Sequence, residues 1–162
     1  MLRVSIVAFV VALSALVPSP ASAQGTIQQI GGSTSLFGVK GVSVPPIKRS
    51  EIRSLVDLGT IDTDGHEKII LNLAGQMLGV DENGGTVGVV LIPDIAPFDQ
   101  AFTGFGLLPA SLEITVAVNS RESPYFMASQ QKFDIGFPRY RALAYNTSRS
   151  PVTISFFAYR TR

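Results

Sequence analysis

Residues 112–119 read Leu-Glu-Ile-Thr-Val-Ala-Val-Asn. Leu112, Ile114, Val116 and Val118 share one side of an extended chain, and Glu113, Thr115 and Ala117 take the other. A period of two is what a half-buried strand requires, because successive side chains along a strand point to opposite faces. The same alternation recurs upstream, where Ile69, Leu71 and Leu73 oppose Lys68, Asn72 and Ala74, with Ile70 breaking the pattern. Downstream, Val152-Thr153-Ile154-Ser155-Phe156-Phe157-Ala158-Tyr159 starts with alternation and then loads both faces with aromatic rings. That loading suits a central strand covered on both sides, or one whose outer face meets a partner, and the first is the expectation.

Apolar or β-branched runs recur at 52–61, 67–74, 86–92, 112–119, 125–129, 139–145 and 152–159. Between them stand turn formers: Asp64-Gly65, Asn83-Gly84-Gly85, Pro93-Asp94, Pro109, Ser123-Pro124, Gly136 with Pro138, and the polar stretch 146–151. Many short strands with regular turn punctuation predict an all-β, antiparallel β-sandwich of the jelly-roll or Greek-key kind. The stretch 95–108 fits least well. Phe98, Phe102 and Phe105 have helical spacing, but Pro97, Gly104 and Gly106 oppose a long helix. A crossover carrying one helical turn is the expectation there.

The chain begins with Arg3, a nearly unbroken apolar run from Val4 to Val17, then Pro18, Pro20 and Ala21-Ser22-Ala23. Charge, apolar segment and small residues in that order predict a cleavable signal peptide over 1–23. A spanning helix wants about 20 apolar residues, and this run is shorter. Residues 24–50, with Gly31-Gly32-Ser33-Thr34-Ser35 and Pro45-Pro46, read as a flexible or edge-pairing arm with one short strand around 36–44. Residues 51–162 read as the sandwich domain. The expected compartment is the periplasm or the cell exterior of a bacterium, and no transmembrane helix is expected after cleavage.

With no cysteine in the sequence, a disulfide framework, thiolate metal sites and thiol catalysis are excluded. Acids dominate residues 50–120 and arginines dominate 121–162. Two halves interleaved in one sheet system would neutralise each other. An acidic surface opposite a basic one would instead favour head-to-tail self-association. Nucleic-acid binding is not expected, because no dominant basic field exists.

Catalytic and metal signatures are weak. A calcium loop starting at Asp62 would need a glycine at its sixth position and a carboxylate at its twelfth, where Glu67 and Leu73 stand. Asp64-Gly65 reads instead as a hairpin turn. His66 is the lone histidine, with no Gly-x-Ser-x-Gly elbow and no paired zinc spacing. No catalytic residue, metal or cofactor is therefore assigned. The candidate ligand contacts are Arg139, Arg141, Tyr125, Tyr140 and Tyr145. Arg139 and Arg141 fall about 7 Å apart on one strand face, with Leu143 and Tyr145 and opposite Tyr140, a spacing that suits clamping a carboxylate or sulfate, or pairing with acids of a neighbouring strand. Tyrosines could stack on sugar rings, Tyr159 and Phe126 among the further candidates, although most Phe side chains belong in a core. The expected function is a non-catalytic exported binding or surface-structural protein, with a glycan or another envelope protein as partner. A small secreted hydrolase using paired carboxylates and a self-assembling subunit are the alternatives.

Overall fold

The alternating runs form strands in the computed structural model, which describes residues 26–28, 35–47, 55–81, 83–95 and 111–162. The strands are β1 (Thr26–Gln28), β2 (Ser35–Val44), β3 (Val56–Asp62), β4 (Lys68–Met77), β5 (Gly85–Pro93), β6 (Leu112–Val118), β7 (Tyr125–Met127), β8 (Gln131–Asp134), β9 (Arg139–Asn146) and β10 (Val152–Thr161). Every pairing is antiparallel, and the described residues contain no helix. The fold is all-β.

Two sheets pack face to face. The larger runs β1-β2-β10-β4, with β7 and β8 pairing successive stretches of the free edge of β4. The smaller runs β3-β9-β5-β6. The pairs are nested along the chain: β5 with β6, then β4 with β7 and β8, then β3 with β9, then β2 with β10. Consecutive members of the nest alternate between the sheets.

Alternation decides which side chains meet between the sheets. From β10 come Val152, Ile154, Phe156 and Ala158, from β4 Ile69, Leu71 and Leu73, and from β2 Phe37, Val39 and Val44. The facing sheet supplies Leu58, Ile61, Val87, Val89, Leu91, Ile114, Tyr140, Ala142 and Ala144. Phe37 and Phe156 meet edge-on at 6.3 Å between centroids. Withdrawing each of the Val, Leu, Ile and Phe side chains from water stabilises the fold by about 1.5–3 kcal/mol, and in a chain without cysteine this burial and the strand ladders replace covalent links.

Several expectations change in detail. Asp64-Gly65 is a turn, held by the Asp64 N–H donating to Asp62 Oδ1 at 3.0 Å. It is no hairpin, because β3 and β4 belong to different sheets and the turn carries the chain from one to the other. Strand β10 is central, between β2 and β4, but only its inner row is fully buried; Phe157 is half-buried and Tyr159 exposed on the outer side. Residues 35–44 sit between β1 and β10 and carry core side chains. The signal-peptide reading and the helical turn within 95–108 lie outside the described residues, apart from Ile95.

One end of the molecule is stitched by polar groups. Fully buried Asn146, the last residue of β9, donates from Nδ2 to the carbonyls of Ser150 (2.8 Å) and Val44 (3.2 Å). Its Oδ1 accepts the Ser148 N–H at 2.9 Å. Nearby, buried Asp81 accepts the N–H groups of Arg149 at 2.5 Å and Asn83 at 3.0 Å. The Arg149 N–H foremost among them holds the Asp81 carboxyl below its ordinary pKa.

Candidate functional site

The two outer faces differ. On the smaller sheet, Tyr145 lies across Gly88, where an added Cβ would come within 2.6 Å of its ring and hydroxyl. Its hydroxyl donates to Glu113 Oε1 on β6 at 2.5 Å. Burial and the neighbouring carboxylate raise the Tyr145 pKa well above the ordinary phenol value. Val90 and Ile92, which alternate with inward Val89 and Leu91, are buried on this outer side as well. Arg141 pairs with Asp57 (Nε to Oδ2, 2.9 Å) and Arg139 with Asp94 (3.1 Å). The Asp57 hydrogen bonds push the Arg141 pKa up. This face is largely occupied with itself.

The outer face of the larger sheet is more open. Its rows follow from the register. Gln76 of β4 lies between Thr153 and Tyr125, and Ala74 between Ser155 and Met127. Asn72 is opposite Phe157, and Ile70 lies between Tyr159 and Lys132. On the other side of β10, Phe157 faces Gly38 and Tyr159 faces Leu36. A diagonal of apolar and aromatic side chains therefore crosses the sheet from Tyr125 and Met127 to Phe157 and Tyr159. Strand rise and spacing give it a length of about 22 Å.

Gly38 makes this surface possible. A Cβ there would lie 2.6 Å from Phe157 Cδ1, so only glycine lets the ring lie down over β2. Lys40 Nζ stands 5.7 Å from the centroid of the same ring, a cation–π arrangement. Along the diagonal run Thr153, Ser155, Asn72 and Gln76, none of which hydrogen-bonds through its side chain to another described residue. Charge reaches the face at Lys40, over the Phe157 ring, and at Lys132 and the Lys68–Asp134 pair (3.0 Å) toward the far end. Between these charges the face is part aromatic and rich in amide and hydroxyl groups that bond to no other described residue.

Neither known protein families nor curated proteins match this chain. The site is therefore argued from its own geometry.

The residues singled out from sequence fall in three places. Tyr125 is on the open face. Arg139, Arg141 and Tyr145 line the outer side of the smaller sheet, with the arginines in ion pairs. Tyr140 is in the core, its ring edge-on to Phe137 at 6.0 Å and its hydroxyl accepting the Gly136 N–H at 3.3 Å. Burial raises its pKa, with that N–H opposing. Phe157, Met127, Asn72 and Ser155 complete the open face and were not singled out. Only the period of two marked their side, and it could not say that the side was open.

The described acids serve mainly in pairs and turns: Asp57, Asp94 and Asp134 with cations, Glu113 with Tyr145, Asp81 with backbone amides and Asp62 in its turn. Among the described residues no group of three or more potential metal ligands comes together. No helix among them is long and apolar enough to cross a membrane.

Proposed function

We propose that this chain is an exported, non-catalytic binding module that holds a glycan against the outer face of its larger sheet. The observation that carries the reading is the open face on which Phe157, Tyr159 and Tyr125 lie beside Thr153, Ser155, Asn72 and Gln76, hydrogen-bonding groups without a described protein partner. A sugar ring offers an apolar C–H face to an aromatic ring and hydroxyls at its rim to amides and hydroxyls. Stacking contributes about 0.5–1.5 kcal/mol per ring, and each hydrogen bond about 0.5–1.5 kcal/mol. A diagonal about 22 Å long suits an extended oligosaccharide rather than a single sugar.

The leader-like order of residues 1–23 supports export, to the periplasm or beyond the cell. The nested pairing and its alternation between two four-membered sets, β2-β10-β4-β7/β8 and β3-β9-β5-β6, support a jelly-roll winding. Sandwiches of this kind carry many functions, so the assignment rests on the face and not on the fold.

Binding of the full chain to an array of polysaccharides and oligosaccharides, followed by affinity electrophoresis, tests this. Phe157→Ala, Tyr159→Ala and Tyr125→Ala should each weaken retention about two- to ten-fold, the equivalent of ~0.5–1.5 kcal/mol. Arg141→Ala on the opposite sheet should leave it unchanged. Retention by no glycan, or retention indifferent to the three rings, would refute the proposal.

A further inference from the structure

The edges of the two sheets are guarded unequally. An open edge offers unpaired N–H and C=O groups to another chain, and brevity, bulges, charge or proline blunt it. In the larger sheet, β1 has three residues, and the opposite edge is split between β7 and β8, with Pro124 ahead of the first and Lys132 within the second. In the smaller sheet, β3 carries a register slip between Asp57 and Gly59, a φ of 112° at Gly59, and the charges of Asp57 and Asp62. Strand β6 is the exception. Its seven residues pair with β5 in unbroken register and include no proline, glycine or lysine. Its one charged residue, Glu113, accepts the Tyr145 hydroxyl.

The hydrogen bonds of β5 fix which backbone groups of β6 face outward. Thr86 N–H donates to Thr147 Oγ1 at 2.8 Å, and its carbonyl accepts the Thr147 N–H at 2.9 Å. Both groups therefore turn toward the end of β9 and away from Ala117, the residue opposite Thr86 on β6. Bonded and non-bonded pairs alternate along an antiparallel ladder. Leu112, Ile114, Val116 and Val118 thus bond to β5, while Glu113, Thr115 and Ala117 direct their N–H and C=O groups to the free edge. Thr115 and Ala117 are exposed. Among the described residues, no strand pairs with that edge.

We infer that β6 pairs antiparallel with β6 of a second copy of this chain, about a two-fold axis at Thr115. A two-fold contact sets the same surface against itself, so the strand must be complementary to its own reverse. With Thr115 opposite its mate, Glu113 meets Ala117 of the second copy and Ala117 meets its Glu113. All three outward residues then face outward residues, and each such pair exchanges two N–H···O bonds. The inner row is matched as well: half-buried Leu112 and Val116 meet Val118 and Ile114 of the second copy, extending the apolar layer across the junction.

Other registers fit less well. Moving the axis by one residue either way leaves an outward residue facing position 111 or 119, beyond the strand. An axis at Glu113 sets two carboxylates directly opposite each other, which is destabilising. A foreign strand would have to supply both the bonding phase and the alternation, whereas a second β6 already has them. The inference does not rest on glycan binding, because Phe157, Tyr159 and Tyr125 belong to the other sheet.

The sequence contains no cysteine, so an introduced one reports a single contact. A bonded antiparallel pair holds its Cα atoms about 5.5 Å apart, within the range of about 4.4–6.8 Å that a disulfide spans. Thr115→Cys in the full chain should therefore link to its mate under oxidised glutathione. Ala117→Cys, equally exposed but offset from its mate by roughly 13 Å along the strand, should not. Linking should be roughly ten-fold or more faster at position 115 than at 117, and sedimentation of the unsubstituted chain should show a concentration-dependent dimer. Association through the apolar run at 4–17 would not discriminate between the two positions. Equal rates at 115 and 117, or no linking at 115, overturn the inference. So does a chain that sediments only as monomer at high concentration.

Discussion

Replacing Asn146 by alanine removes the group that joins the ends of three strands, and its cost can be worked from the bonds it makes. The side chain is fully buried and bonds to Val44 at the end of β2 and to Ser148 and Ser150 ahead of β10. In Asn146→Ala, Ser148 Oγ keeps an acceptor in the Ser150 carbonyl at 2.9 Å. The Ser148 N–H loses its partner, and the Val44 and Ser150 carbonyls each lose a donor. A buried group left unsatisfied costs about 1–3 kcal/mol, and carbonyls relieved of one of two partners cost less. The expected loss is about 3–4 kcal/mol, large for a single substitution. At roughly 3–4 °C per kcal/mol for a domain of this size, the melting temperature should fall by about 10–15 °C. Urea denaturation should show the same loss with an unchanged slope. Asn146→Asp adds a sign test. It keeps the acceptor but turns a carboxylate oxygen toward two carbonyls, so its pKa must rise and part of the lost stability should return as pH falls through that raised value. A melting temperature for Asn146→Ala within about 3 °C of the parent would refute the reasoning, since it would mean the loop holds its shape without these bonds.

Two further outcomes follow from single side chains. Tyr140 and Tyr145 have raised pKa values, so the stability they contribute by staying protonated is complete below about pH 10, the unfolded phenol value, and is lost as pH climbs through the folded values. Titration of phenolate absorbance should show late ionisation coincident with alkaline unfolding, and Tyr145→Phe should remove part of that late amplitude; unchanged amplitude in Tyr140→Phe and Tyr145→Phe together would count against it. Arg160 points inward from β10 with 8% exposure, its Nε has no hydrogen-bond partner among the described residues, and burial lowers its pKa with Asp62 only partly opposing. Arg160→Met should therefore be neutral or stabilising by up to about 1 kcal/mol in urea melts, and a loss above about 2 kcal/mol would show that the guanidinium is well satisfied after all.

What the sequence revealed and what it hid divide along the range of the interactions involved. Alternation is a local property, so the inward row of β6 could be read directly from Leu112–Val118, and the two faces of β9 from Arg139–Asn146, but not that the face of Tyr140 is the buried one. Strand β8 escaped notice because Gln131–Asp134 offers only four residues and one apolar side chain, Phe133. The partition into two sheets depends on pairings far apart in sequence, which is why Asp64-Gly65 reads equally well as a hairpin and as a passage between sheets. The same holds for Arg141. Its spacing from Arg139 is visible, but the carboxylate that occupies it is Asp57, 84 positions away.

The open face exposes the deepest ambiguity. Phe156-Phe157 and Tyr159 put aromatic rings on both sides of β10, a pattern equally suited to a strand covered twice and to a strand with one ring-bearing surface. The strand order separates these cases. With β10 and β4 at the centre of a sheet whose inner rows already fill the core, their outer rows have no second layer among the described residues to meet. Gly38 then has a meaning that its place between Phe37 and Val39 never suggested: it is the floor on which Phe157 lies. A core residue needs neighbours on every side, whereas a stacking surface needs a flat ring, support from beneath and solvent above. Gly38 gives the Phe157 ring its support from beneath, and above it stands only the mobile end of Lys40, so substitution at Gly38 should affect binding more than folding. Gly38→Ala puts a methyl group within 2.6 Å of the ring, which must tilt. If glycan affinity falls several-fold while the urea midpoint shifts by less than the equivalent of about 1 kcal/mol, the ring is there for a ligand. If stability collapses and affinity per folded molecule does not change, the ring is there for the fold.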